Sequence, residues 1–255
     1  LLILLCLPMI GFGQGQNPGT AQEAFDINGV NTLVGPGSFM WDLADAKYEV
    51  PKGGNKHSIF AHEFWFGALD ESNELRVAAQ QYTQNGNDFF AGPCSDTAFH
   101  NDFYMNYWDR VWKLDKASID QFILDYNNDS NCCENLIIPD FILDWPAHGD
   151  TSFGQSFYLA PFIDVNNDSL YNPYDGDYPK IKGDQAIYMI RNDIGAVHSE
   201  TGGSPLGIEQ HVMFYSYLSD TSEVINNTVF VNMRIINRSD DNLYDFIVGT
   251  FVDPD

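Results

Sequence analysis

Thr228-Val229-Phe230-Val231-Asn232-Met233-Arg234-Ile235-Ile236 carries the clearest strand pattern in the chain. Val229, Val231, Met233 and Ile235 point one way, while Asn232 and Arg234 point the other. A period of two places one face of a β-strand on a core and the other toward polar surroundings. Downstream, Asn237-Arg238-Ser239-Asp240-Asp241-Asn242 reads as a turn into a further strand at 243–252. Upstream, 209–218 and 186–191 are strand candidates of the same kind. Residues 57–69, rich in Phe, Trp and Ile, precede 75–82 across the turn Asp70-Glu71-Ser72-Asn73, a hairpin signal. One helix interrupts the pattern: Ile119, Phe122, Ile123 and Tyr126 fall at i, i+3, i+4 and i+7. Asp115 or Ser118 is its cap, and Ser118 with Gln121 fits a capping box. The chain therefore reads as mainly β: an antiparallel β-sandwich or jelly-roll-like domain with one short amphipathic helix and long Asp/Asn/Gly-rich loops.

The composition supports that reading and removes several functions. Among 255 residues, 36 acids stand against 12 Lys and Arg, a net charge of −24. A nucleic-acid partner needs a basic footprint, and an anionic membrane surface repels such a chain. The 44% hydrophobic and 15% aromatic content argues for a packed core over disorder. The acids are 27 Asp but only 9 Glu, joined by 22 Asn. Asp and Asn favour turns, caps and oxygen-ligand loops, whereas Glu favours helices.

Both ends carry expectations. Leu1 to Ile10 is apolar, broken only by Pro8, and Gly11-Phe12-Gly13 gives a small-x-small pattern before polar Gln14. Residues 1–13 read as a secretory signal peptide that lacks its basic n-region, too short to span a bilayer. Residues 14–24 read as a polar linker and 25–255 as a β-rich region that continues past Asp255. An exported chain meets an oxidising compartment, so Cys94 is expected to pair with Cys132 or Cys133.

The most informative loop is 164–177. Oxygen-bearing side chains fall at relative positions 1, 3, 5, 9 and 12, a spacing that wraps a hard cation. Asp164, Asn166 and Asp168 are expected Ca²⁺ ligands, with the Leu170 carbonyl, Asn172, and Asp175 or Asp177 completing the shell. Ser169 and Asp175 stand where an EF-hand has Gly and Glu, and Pro161, Pro173 and Pro179 rule out flanking helices. The ion would be structural. The competing reading is an Asx-rich turn that caps itself.

Other chemistry is weaker. His198, Glu200, Glu209 and His211 bracket a Gly-rich loop and would form a transition-metal cluster if the two flanks paired as a hairpin. Glu63, beside His62 and Phe64-Trp65-Phe66, and Glu209 are the two carboxylates worth testing as catalytic groups. No GxSxG, HExxH, GxGxxG or P-loop occurs. Trp65, Trp108, Trp112 and Trp145 form either a sugar-stacking platform or, more commonly, core.

Several phrases carry a resemblance: Tyr48-Glu49-Val50-Pro51-Lys52-Gly53-Gly54, Asp144-Trp145-Pro146-Ala147-His148-Gly149-Asp150, Gly183-Asp184-Gln185-Ala186, the 198–207 loop and Ile235-Ile236-Asn237-Arg238-Ser239. The mature stretch resembles the N-terminal region of large exported cargo proteins of the type IX secretion system. The resemblance implies a C-terminal sorting domain downstream, contact with the secretion machinery through it, and a place at the outer-membrane surface or outside the cell. It also implies a calcium loop at 164–177, where similar sequences usually have Gly in place of Ser169. It names no activity. The expectation is a secreted or surface-exposed, calcium-stabilised β-rich protein with an adhesive or structural role and no integral membrane span. The alternative is a carbohydrate-binding or carbohydrate-degrading protein, with polysaccharide or cell-surface components as partners.

Overall fold

The computed structural model describes residues 19–42, 45–83, 85–96, 102–128 and 136–255. The expected signal peptide, Cys132 and Cys133 lie outside the described residues. In chain order the strands are β1 (Glu23–Ala24), β2 (Asn31–Val34), β3 (Trp41–Asp42), β4 (Asp45–Ala46), β5 (Tyr48–Glu49), β6 (His57–Leu69), β7 (Leu75–Ala78), β8 (Phe90–Ala91), β9 (Trp112–Asp115), β10 (Phe162–Ile163), β11 (Tyr178–Pro179), β12 (Gln185–Asn192), β13 (Ile208–Ser216), β14 (Val229–Asn237) and β15 (Tyr244–Pro254). The helices are α1 (Asp102–Trp108), α2 (Lys116–Asn128), α3 (Asp140–Leu143) and α4 (Glu223–Asn226).

Two antiparallel sheets dominate. The first runs β1-β2-β5-β6-β15, with β7 also on β6; the second runs β14-β13-β12, with β8 and β9 sharing the far edge of β12. Between them lies a core of Val34, Phe39, Ile187, Met189, Val212 and Phe214, against which Val229, Val231 and Met233 of β14 pack. The alternation in β14 thus does what its period requires: its apolar face closes the sandwich.

The expected sandwich-like fold carries a further layer on one side. Ala186, Tyr188, Ile190 and Met213, on the opposite face of the second sheet with Trp112 and Leu114 of β9, are covered by Trp108, Trp145, Ile119 and Phe122. Every residue of β12 is buried. A strand reading Ala-Ile-Tyr-Met-Ile has no polar face to offer water, and helices with irregular segments supply the missing cover. The three tryptophans are core, each 4–5% exposed. Trp65 is half-buried and stacks on Phe251, ring centroids 5.4 Å apart.

Local expectations fare differently. The turn at 70–73 forms: Asp70 Oδ1 accepts the N–H groups of Ser72 and Glu74, and Asn73 takes a positive φ of 65°. Helix α2 starts at Lys116, so Ser118 is inside it and no box with Gln121 closes; Gln121 donates to Asp125 instead. Residues 19–24 are docked, unlike a linker. Asp109 accepts the N–H groups of Thr20 and Ala21 at 2.7 Å, and β1 pairs with β2. Cys94 is buried; both of its expected disulfide partners lie outside the described residues. Among the described residues, no helix is long and apolar enough to cross a membrane.

Candidate functional site

The sequence offers three constellations, and the structure treats each differently. The 164–177 loop follows the short strand β10. Asp164 turns back on the loop, Oδ1 accepting from Asn167 N (2.7 Å) and Oδ2 from Ser169 N (2.8 Å). Asn167 and Ser169 take positive φ of 62° and 69°, which lets the chain coil tightly around that carboxylate. Asp168 Oδ1 accepts Leu170 N, and Asn166 Nδ2 reaches Asp168 Oδ2 at 3.0 Å. Asn172 caps the next turn through Tyr174 N and donates to Asp175 Oδ2.

Asp177 plays another part. It is fully buried, and it clasps both ends of the loop, Oδ1 accepting Val165 N (2.8 Å) and Oδ2 accepting Asn172 N (2.9 Å). His148 adds a third tie, Nε2 accepting the Tyr171 N–H at 2.8 Å. The donor set Asp164, Asn166, Asp168 and Asp175 is all hard oxygen, the chemistry Ca²⁺ takes. Its oxygens here accept backbone N–H groups and the amides of Asn166 and Asn172, each carboxylate keeping lone pairs beyond those bonds.

Glu63, the first catalytic candidate, is 1% exposed. Its inward side chain meets Arg191 in a bidentate pair: Nη1 to Oε2 at 2.9 Å and Nη2 to Oε1 at 2.5 Å. The guanidinium lies between the rings of Phe39 and Phe89, 4.3 and 4.4 Å from their centroids, and donates through Nε to Gln210. Arg191 is itself fully buried. This pair joins β6 of one sheet to β12 of the other, and it leaves the Glu63 carboxylate buried and occupied.

The expected cluster of His198, Glu200, Glu209 and His211 does not assemble. The reason is register. Glu209 pairs with Asn192 and His211 with Ile190, so the hairpin partners of β13 come from β12 and not from 198–200. Glu209, buried, accepts from His211 Nε2 (2.8 Å), Arg238 Nη2 (2.7 Å) and Cys94 N (2.8 Å). Burial pushes its carboxyl up, but the hydrogen bonds and charges of His211 and Arg238 outweigh this and hold it below the ordinary value. The other ring nitrogen of His211 meets the Tyr188 hydroxyl at 2.6 Å. His198 is elsewhere: both its nitrogens face carbonyl oxygens, Val77 O at 2.8 Å and Asp193 O at 2.7 Å, with the carboxylates of Asp88 and Asp193 at 3.8 Å. Glu200 accepts Gln81 N, and its carboxyl is raised by burial. Among the described residues no three His, Cys, Asp or Glu side chains gather as a metal group.

Arg191, Asp193, Asp88 and Tyr188 were not singled out from sequence, yet they build these networks. A lone Arg ending the apolar run of β12 is the one signal that would have pointed to the buried pair. Asp193 shows what the sequence hides: buried, it accepts Leu206 N (2.6 Å) and Ile208 N (2.8 Å), so it pins the return of a fifteen-residue loop. Burial pushes the Asp193 carboxyl up against those N–H groups. The chain matches no protein-family model, no curated protein and no solved structure.

Proposed function

We propose that the protein is a non-catalytic β-sandwich module working at the cell surface or in the extracellular medium, in an adhesive or structural capacity, with calcium bracing the 164–177 loop. The observation that carries this reading is where the reactive side chains go. Glu63, Glu209 and His198 are spent on buried bonds that join sheets and loops, while in the oxygen-rich constellation Asn166 and Asp168 are exposed and Asp164 is half-buried. Burial of Trp108, Trp112 and Trp145 favours this over a tryptophan sugar platform. Export rests on the apolar opening segment and on the resemblance to type IX secretion cargo.

The calcium half is tested by melting. Millimolar Ca²⁺ should raise the melting temperature of the chain, and Asp168→Ala should abolish the increment. A melting temperature indifferent to calcium would sink it. The compartment is tested by locating the tagged full-length protein, with intact cytoplasmic retention as the contrary result.

A further inference from the structure

The polar face of β14 borders a cleft of about 580 Å³ whose opposite wall is formed by residues 158–162 and 180–182. The cleft exists because the outer layer covers β12 but leaves part of the β13–β14 edge open. Across the second sheet His211 lies opposite Arg234, and Met213 opposite Asn232. Arg234 and Asn232 are exposed there, and Lys180 and Lys182 face them from the other wall.

The charge in this cleft is out of keeping with the molecule. The chain has 36 acids for 12 Lys and Arg, so a cleft lined by three cations and no carboxylate stands apart. Arg76, Arg110, Lys113, Lys116, Arg191 and Arg238 all hold one. Among the described residues, Lys180, Lys182 and Arg234 hold none and have no side-chain hydrogen bond, yet they line one cleft. No Asp or Glu lines it. The acids of the adjoining cleft are engaged: Asp184 accepts Leu218 N at 3.0 Å, and Asp120 pairs with Lys116. Glu209, behind His211, is matched by Arg238. Three cations with low-dielectric walls focus a positive potential in a molecule that is negative overall.

We propose that this cleft binds a sugar bearing a carboxylate or sulfate group. Arg234 supplies a planar fork for a two-oxygen anion, and the two lysines supply point charges. Asn232 offers an amide for a hydroxyl. Tyr158, 55% exposed, offers a ring face for the apolar side of a pyranose. The volume fits a ligand larger than a bare ion. His211 is a positioning residue on the floor, both nitrogens being already bonded. The anion site stands on its own geometry; the choice of a sugar rests on the adhesive reading above.

Calorimetric titration of the full chain with a glucuronate-containing disaccharide tests the site, with the neutral glucose disaccharide and inorganic sulfate as parallel probes. The acid should bind saturably. The neutral sugar should bind at least tenfold more weakly. Arg234→Gln, and separately Lys180→Gln with Lys182→Gln, should each weaken the acid about tenfold at unchanged melting temperature. Equal binding of the neutral sugar, or variants that bind like the parent, would overturn the anion site. Sulfate binding as tightly as the disaccharide would overturn the sugar. The calcium-dependent melting shift is independent of all three arms, so failure here and failure of the calcium brace are separable.

Discussion

Replacing Arg191 with Met removes a guanidinium that no water reaches. Its loss breaks two charge-assisted hydrogen bonds to Glu63 and one to Gln210. At about 1.5–3 kcal/mol for each charged bond, the pair alone is worth about 3–6 kcal/mol against an unpaired buried carboxylate. Breaking one partner of a buried ion pair costs about 3–5 kcal/mol, in agreement. Met fills much of the space between Phe39 and Phe89, so little of the loss is cavity. Glu63→Leu strands the guanidinium instead and should cost a similar amount. The double variant removes both charges, and buried pairs replaced by apolar groups are often neutral; it should recover to within about 1 kcal/mol of the parent. Urea denaturation of the four proteins, completed as a double-mutant cycle, measures this. A chain of this size shifts by roughly 2–4 °C per kcal/mol, so each single variant should also melt about 6–20 °C lower. A single variant costing under about 1 kcal/mol, or additive losses in the double variant, would refute the claim that this pair locks the two sheets.

Asp177→Ala should destabilise the chain with or without calcium, because it orphans the buried N–H groups of Val165 and Asn172 at about 1–3 kcal/mol each. Melting in EDTA separates this clasp from Asp168→Ala, whose larger effect should appear only with calcium, since the bonds it loses without the ion are exposed ones. Glu209 sets a pH dependence. Its folded carboxyl lies below the ordinary value of 4.5, so the unfolded state takes up protons first as pH falls. Its contribution is complete above the unfolded value and is lost as pH drops from about 4.5 through the lower folded value. Glu209→Gln should therefore flatten the loss of stability below pH 4.5, as read from denaturation midpoints across pH; an unchanged acid limb would contradict it.

Local sequence was enough to read β6, β7 and β12 to β15, because period-two alternation and turn residues act locally; the two-residue strands and β9 carry no such pattern. Val229, Val231 and Met233 face the core, and Asp70 to Asn73 make a turn, on grounds available within a few residues. Helix α2 was legible in its stripe, though its start was not, since Asp115, Lys116 and Ser118 offer competing ends. The Asp/Asn loop was legible as a loop that coils on its own oxygens; the separate role of Asp177 was not, because burial distinguishes it from Asp175 and burial is decided by the rest of the fold. The buried ion pairs came only from long-range packing. Glu63 and Arg191 are 128 positions apart, and nothing near either residue names the other. Register alone set Glu209 against Asn192 and so dispersed the expected histidine cluster. The polar face of β14 was read correctly in sequence, but only the packing of the 158–182 segment against it turned Asn232 and Arg234 from surface residues into the wall of a cleft. Periodicity specifies which face a side chain takes, and long-range contact specifies what waits on that face.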